Sequence, residues 1–166
     1  MKTHFSIVVW MLVASMSLRM LVFIQDWQFT KWEFIYFFGN PLIIMTGVFA
    51  GIRLFKKINE SKTTFLADVK SGMKVVGMYA VLMSLFAYLY YSYIDQDYLI
   101  NKLNSQIQTA IENGANEAQA DKHKENGDFF LSAYFMSTIT LVGFIILGTF
   151  YSSIITFFVR KVRNEV

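Results

Sequence analysis

The chain has 166 residues, 55% hydrophobic, 17% aromatic and only 16% charged, with a formal net charge of +3. A soluble domain carries about a quarter charged residues because its surface must be wetted, so this composition excludes a water-exposed globule. The length suits a single domain over residues 1–166, and the absence of cysteine rules out disulfide staples, thiolate metal sites and cysteine nucleophiles.

The apolar residues gather in four blocks, about 5–24, 34–55, 75–94 and 129–159. Each meets the requirement of roughly 20 residues for crossing a hydrocarbon core about 30 Å thick. Lipid cannot pair the backbone donors of an open strand, so the blocks must be helices. The expected fold is an all-α integral membrane protein with four transmembrane helices. A cytoplasmic interfacial helix precedes the third span, and an external amphipathic helical segment, about 95–128, lies between the third and fourth.

The first block follows Met1–His4 in the manner of a signal peptide, and Val13-Ala14-Ser15 offers small residues. The apolar run resumes after Arg19 and no A-x-A site stands out, so a retained span is expected. Arg19 is the one basic residue well inside a span, Arg53 standing at the very end of the second. It has three readings: snorkelling outward, pairing with Asp26 or Glu33, or a substrate or gating role. Trp27, Trp32 and Tyr36 then flank a short turn as interfacial anchors. In the second span Asn40-Pro41 removes one backbone hydrogen bond, and the asparagine amide can serve the freed groups. That pair reads either as a packing kink or as part of a polar cavity. Gly47-x-x-x-Gly51 further along marks a close helix contact.

Residues 53–74 hold Arg53, Lys56, Lys57, Lys62, Lys70 and Lys74 against Glu60 and Asp68. The tail adds Arg160, Lys161 and Arg163, and Lys2 stands at the start. Four crossings put all these cations on one side, while the acidic segment 95–128 falls on the other. Short basic segments stay in the cytoplasm, so both termini are expected there. Thr64 can start a helix, after which Phe65, Leu66, Val69, Met73 and Val76 recur at helical spacing. A basic amphipathic helix of this kind suits an anionic membrane surface or a docking partner.

In the third span Gly77, Ala80, Ser84 and Ala87 line one side, and Tyr88, Tyr90, Tyr91 and Tyr93 crowd the outer end as anchors. Asp95 or Asp97 can cap the external helix, whose Ile100, Leu103, Ile107 and Ile111 form one apolar stripe. That stripe packs on the protein itself, on lipid or on a partner. Asn113-Gly114 supplies a stop. His123 sits beside Asp121 and Glu125, but residues two apart point away from each other on a helix, so no metal is expected. Gly127-Asp128 leads into the fourth span, opened by Phe129, Phe130 and Tyr134 and carrying Gly148-x-x-x-Ser152.

The order of features from residue 51 onward is distinctive. A basic turn reaches Thr64-Phe65, then Phe65-Leu66-Ala67-Asp68-Val69-Lys70-Ser71-Gly72, an apolar span closing in Tyr93-Ile94-Asp95-Gln96-Asp97-Tyr98, and a last span ending in Val159-Arg160-Lys161. This resembles a Bacteroidota family of membrane proteins known as domain of unknown function 4199, which usually has proline at the position of Gln96. The resemblance implies a four-helix inner-membrane protein of a Gram-negative bacterium, and it brings no activity and no site residues.

Three functions compete. A non-catalytic interaction or assembly subunit would dock a membrane-protein partner through the external helix, with Ile100, Leu103, Ile107 and Ile111 as contacts. A small oligomeric transporter or channel would use Arg19, Asn40 and Pro41 in a polar path. An enzyme is the weakest reading, because no serine–histidine–acid set, carboxylate pair or phosphate loop is visible. Besides the lipid bilayer, a second copy of the chain or another membrane protein is the expected partner. No catalytic residue, cofactor, metal or nucleic acid is expected.

Overall fold

The computed structural model describes residues 2–60, 62–114, 116, 124, 127 and 129–162. In chain order the elements are α1 (Lys2–Ile24), a 3-10 turn (Lys31–Glu33), α2 (Phe34–Ile58), α3 (Phe65–Leu89) running into a π-helix (Tyr90–Ile94), α4 (Gln96–Glu112) and α5 (Ala133–Val162). Among the described residues, four stretches are long and apolar enough to cross a membrane: His4–Ile24, Lys31–Ile58, Phe65–Ile94 and Ala133–Val162. These are the four expected spans, and the chain has the pattern of a multi-pass membrane protein.

Two boundaries differ from the sequence reading. The third spanning helix starts at Phe65 without a break, so the amphipathic stretch after Thr64 forms its first turns and is not a separate helix. Thr64 caps it as expected: the Ala67 amide donates to Thr64 Oγ1 at 3.3 Å. The fourth starts at Ala133, because Ser132 captures the Phe135 amide at 3.2 Å while donating to the Phe129 carbonyl at 2.8 Å. Such a cap supplies a helix start inside an unbroken apolar run. At 30 residues, α5 is about 45 Å long and exceeds the hydrocarbon thickness, so it tilts or projects beyond it.

The chain divides into two compact units, Met1–Leu82 with Leu141–Val166, and Met83–Thr140. In the first, helices approach through small residues. A Cβ on Gly39 would strike Leu18, one on Gly47 would strike Met11, and one on Gly148 would strike Val76. Lipid gives helices no hydrophobic reason to associate, so close backbone contact has to supply the attraction. Gly51 serves α3 in the same way, its carbonyl accepting from Ser71 Oγ at 3.2 Å. Gly77 has open space around it; the row expected on α3 buries Ala80 and Ala87 instead. Large apolar side chains such as Trp10 and Phe37 remain more than 70% exposed on α1 and α2, as lipid-facing positions would.

In the second unit α4 is flanked by Asp95 before its first residue and Asn113 after its last, followed by Gly114 with φ of 92°. That left-handed geometry is open to glycine at no steric cost, as the stop signal predicts. The α4 side chains Tyr98, Leu99 and Leu103 are buried, and a Cβ on Gly127 would strike Leu103.

Candidate functional site

Among the described residues, the first unit holds two buried polar clusters. One joins three helices through neutral groups. Ser15 of α1 and Tyr79 of α3 place their hydroxyl oxygens 2.6 Å apart, and Tyr79 donates to Asn40 Oδ1 of α2 at 3.3 Å. A phenol has a single proton, so with it directed at Asn40 the Ser15 hydroxyl is the donor in the shorter contact. Asn40 Nδ2 then donates to the Tyr36 carbonyl at 3.3 Å, while the Tyr79 ring stacks on Phe144 at 5.4 Å. Ser15 and Tyr79 are wholly buried and Asn40 is 4% exposed.

Arg19 joins this cluster. It is 2% exposed, with its guanidinium 5.1 Å from the centre of the Tyr36 ring. The outward snorkelling considered from the sequence is therefore corrected: the arginine turns into the protein, where an aromatic face attracts a cation and hydrocarbon offers nothing. Pro41 lies inside an unbroken α2. It frees the carbonyl of Phe37, four residues back, whereas the Asn40 amide serves Tyr36. The expected service to the proline-freed group is thus not what the asparagine does.

The second cluster is ionic and sits where α2 and α5 end and α3 begins. Lys56 Nζ lies 3.3 Å and Arg160 Nη1 3.0 Å from the same oxygen, Asp68 Oδ2. Lys56 also reaches Thr63 Oγ1 at 3.4 Å, and Arg160 donates to the Thr63 carbonyl at 2.8 Å. Asp68 is wholly buried and Lys56 is 1% exposed. Two cations on one carboxylate bind the last turns of α2 and α5 to the first turn of α3, and they bring the end of α5 to the turn after α2.

In the second unit the candidate contact residues of α4 separate. Leu103 is 8% exposed, whereas Ile100 and Ile111 are 58% and 54% exposed and Ile107 is half-buried. At about 100° per residue, Ile100, Ile107 and Ile111 fall within roughly 40° of one another, and Leu99 lies about 100° round the helix. The α4 surface thus carries two adjoining apolar strips, one packed inward and one open. Asp95 does not cap α4 with its side chain; its Oδ2 accepts from the Tyr90 hydroxyl at 2.6 Å. Tyr90, expected as an interfacial anchor, is 1% exposed for that reason, while Tyr93 is 71% exposed and fits the role. His123, Asp121 and Glu125 lie outside the described residues.

A family model described as protein of unknown function, DUF4199, matches residues 6–161. The chain belongs to that family. No curated protein and no solved structure matches it. Membership of DUF4199 carries no activity with it, so the geometry is the available guide. Three residues that matter here escaped the sequence reading. Asp68 left a faint signal as one of two carboxylates, with Glu60, among six cations in 53–74. Ser15 and Tyr79 left none, since a serine and a tyrosine in apolar runs look like any others until three helices bring them together.

Proposed function

We propose that this DUF4199 protein is a non-catalytic interaction or assembly subunit of a membrane complex. We place it in the inner membrane of a Gram-negative bacterium of the Bacteroidota, with both termini in the cytoplasm. The observation that carries the reading is the open strip Ile100–Ile107–Ile111 on α4, beside a strip that already serves the chain's own packing. A helix needs one apolar strip to hold itself in place, and a second suits a partner surface. The basic residues of 53–74 and the acidic balance of 95–128 support the orientation. The rival reading, a small oligomeric transporter or channel, gains from the meeting of Arg19 and Asn40 around Tyr36. Against it, both residues are enclosed by their own helices.

The test is co-purification in a mild detergent from the native host, comparing the natural chain with Ile100→Ser/Ile111→Ser. The expected outcome is loss of specific companions with the thermal midpoint of the isolated chain unchanged. Companions retained in full by the double variant, or a midpoint that falls with it, would contradict the proposal. Because the natural chain has no cysteine, single cysteines at Asn59 and Ser105 test the orientation cleanly. An impermeant thiol reagent on intact spheroplasts should reach position 105 and not position 59.

A further inference from the structure

Within the first unit, a groove of about 490 Å³ opens between the last turns of α2 and α5, lined by Phe49, Arg53, Lys56, Phe158, Val159 and Val162. Its two walls follow from helix periodicity. Phe49, Arg53 and Lys56 stand four and then three residues apart on one face of α2, and Phe158 and Val162 stand four apart on α5. The α2 wall changes character along its length: basic at the helix end, aromatic about 10 Å further in, at a rise of about 1.5 Å per residue. The Lys56–Asp68–Arg160 cluster fixes the ends of both helices beside the groove, so its mouth is held open by ionic contacts and not by chance packing. Arg53 is exposed at the mouth, and exposed Lys57 and Lys161 stand on the same two helix ends.

The geometry points to a binding site for an anionic phospholipid, its phosphate on Arg53 and its acyl chains along Phe49 and Phe158. The argument is charge complementarity combined with depth. A guanidinium offers a planar fork of donors that matches phosphate oxygens. A basic mouth above an apolar wall, at the end of spanning helices, coincides with the headgroup and acyl levels of a bilayer leaflet. A soluble anion would use the basic mouth but have no need of the aromatic wall, and a neutral lipid would use the wall without the mouth. The site is independent of the partner proposed for α4, which lies in the other unit.

The test uses the full chain, purified in a zwitterionic detergent, with thermal unfolding followed by tryptophan fluorescence. Phosphatidylglycerol should raise the midpoint, and phosphatidylcholine at the same mole fraction should not. Arg53→Gln should raise the half-saturating mole fraction of phosphatidylglycerol about tenfold, the usual scale for losing a charged hydrogen bond. Lys57→Gln, which removes an exposed cation outside the groove lining, should leave it unchanged. Equal weakening by both variants would reduce the effect to diffuse surface charge and overturn the proposal. So would an equal midpoint shift from phosphatidylcholine, or the same shift from inorganic phosphate at matched concentration and ionic strength.

Discussion

The first turns of α3 and the whole of α4 carry equally regular apolar stripes, yet different kinds of side chain face the protein beside them. In α3 the residues facing the protein are Asp68, Ser71, Gly72, Val75 and Val76, while Phe65 and Leu66 at the start of the stripe are 45% and 60% exposed. In α4 the inward side is Tyr98, Leu99 and Leu103. Where lipid bathes a helix, apolar side chains lose nothing by facing outward, and polar groups turn inward to find partners. Where water bathes it, apolar burial holds the helix down, at about 1.5–3 kcal/mol for a large aliphatic side chain. The same periodicity in sequence therefore starts on an exposed face in both helices and turns inward at Val76 in one and at Leu103 in the other.

Substitutions can break this contrast at known points. The largest effect is expected at Asp68. Asp68→Asn removes the carboxylate that Lys56 and Arg160 share, and removing one partner of a buried pair costs about 3–5 kcal/mol. Thermal unfolding in detergent should show a heavily destabilised chain. The double variant Lys56→Met/Asp68→Leu should recover part of the loss, because apolar replacement of both partners removes the buried charges. No recovery would indicate that Arg160 is the partner that matters.

Next in size is Leu103→Ala, which empties the contact over Gly127. A cost of about 2–3 kcal/mol follows from lost burial plus the cavity left behind. Ile100→Ala, on the same helix, should stay within about 0.5 kcal/mol in the isolated chain. Hydrogen-exchange protection of the α4 amides gives a local readout, and equal losses for the two variants would erase the distinction between inner and open strips.

A smaller effect belongs to Tyr79→Phe. It removes the hydroxyl shared by Ser15 and Asn40 but keeps the ring on Phe144. Interhelical hydrogen bonds in membranes average about 0.6 kcal/mol and reach about 1.7. A modest fall of the thermal midpoint is expected. Ser15→Ala added to Tyr79→Phe should cost little more, since the serine would already lack its partner.

Much of the fold was legible. Runs of apolar residues have one solution in lipid, so the four spans could be read directly, and Thr64 and Gly114 act as the start and stop signals they resemble. The sites were less legible. Asp68 and Arg160 are separated by 92 positions, and no local pattern ties them. Arg19 and Asn40 were singled out as polar residues in apolar surroundings, but their meeting point, the Tyr36 residue between them, was read as an interfacial anchor. The external stripe was taken as one face because helical spacing reports which residues align and not which way the aligned set turns. Leu103 sits at its edge and packs over Gly127, while Ile100 and Ile111 stay exposed.

The central claim is that polar residues hold the first turns of α3 while Phe65 and Leu66 face out. Thermal unfolding of Leu66→Ser beside Ser71→Ala and Asp68→Asn, in one detergent, tests it most directly. The account predicts that Leu66→Ser is nearly neutral, Ser71→Ala costs about 1 kcal/mol through the lost bond to Gly51, and Asp68→Asn is far the most damaging. A Leu66→Ser chain that unfolds as readily as Asp68→Asn, or an Asp68→Asn chain as stable as the natural one, would contradict it.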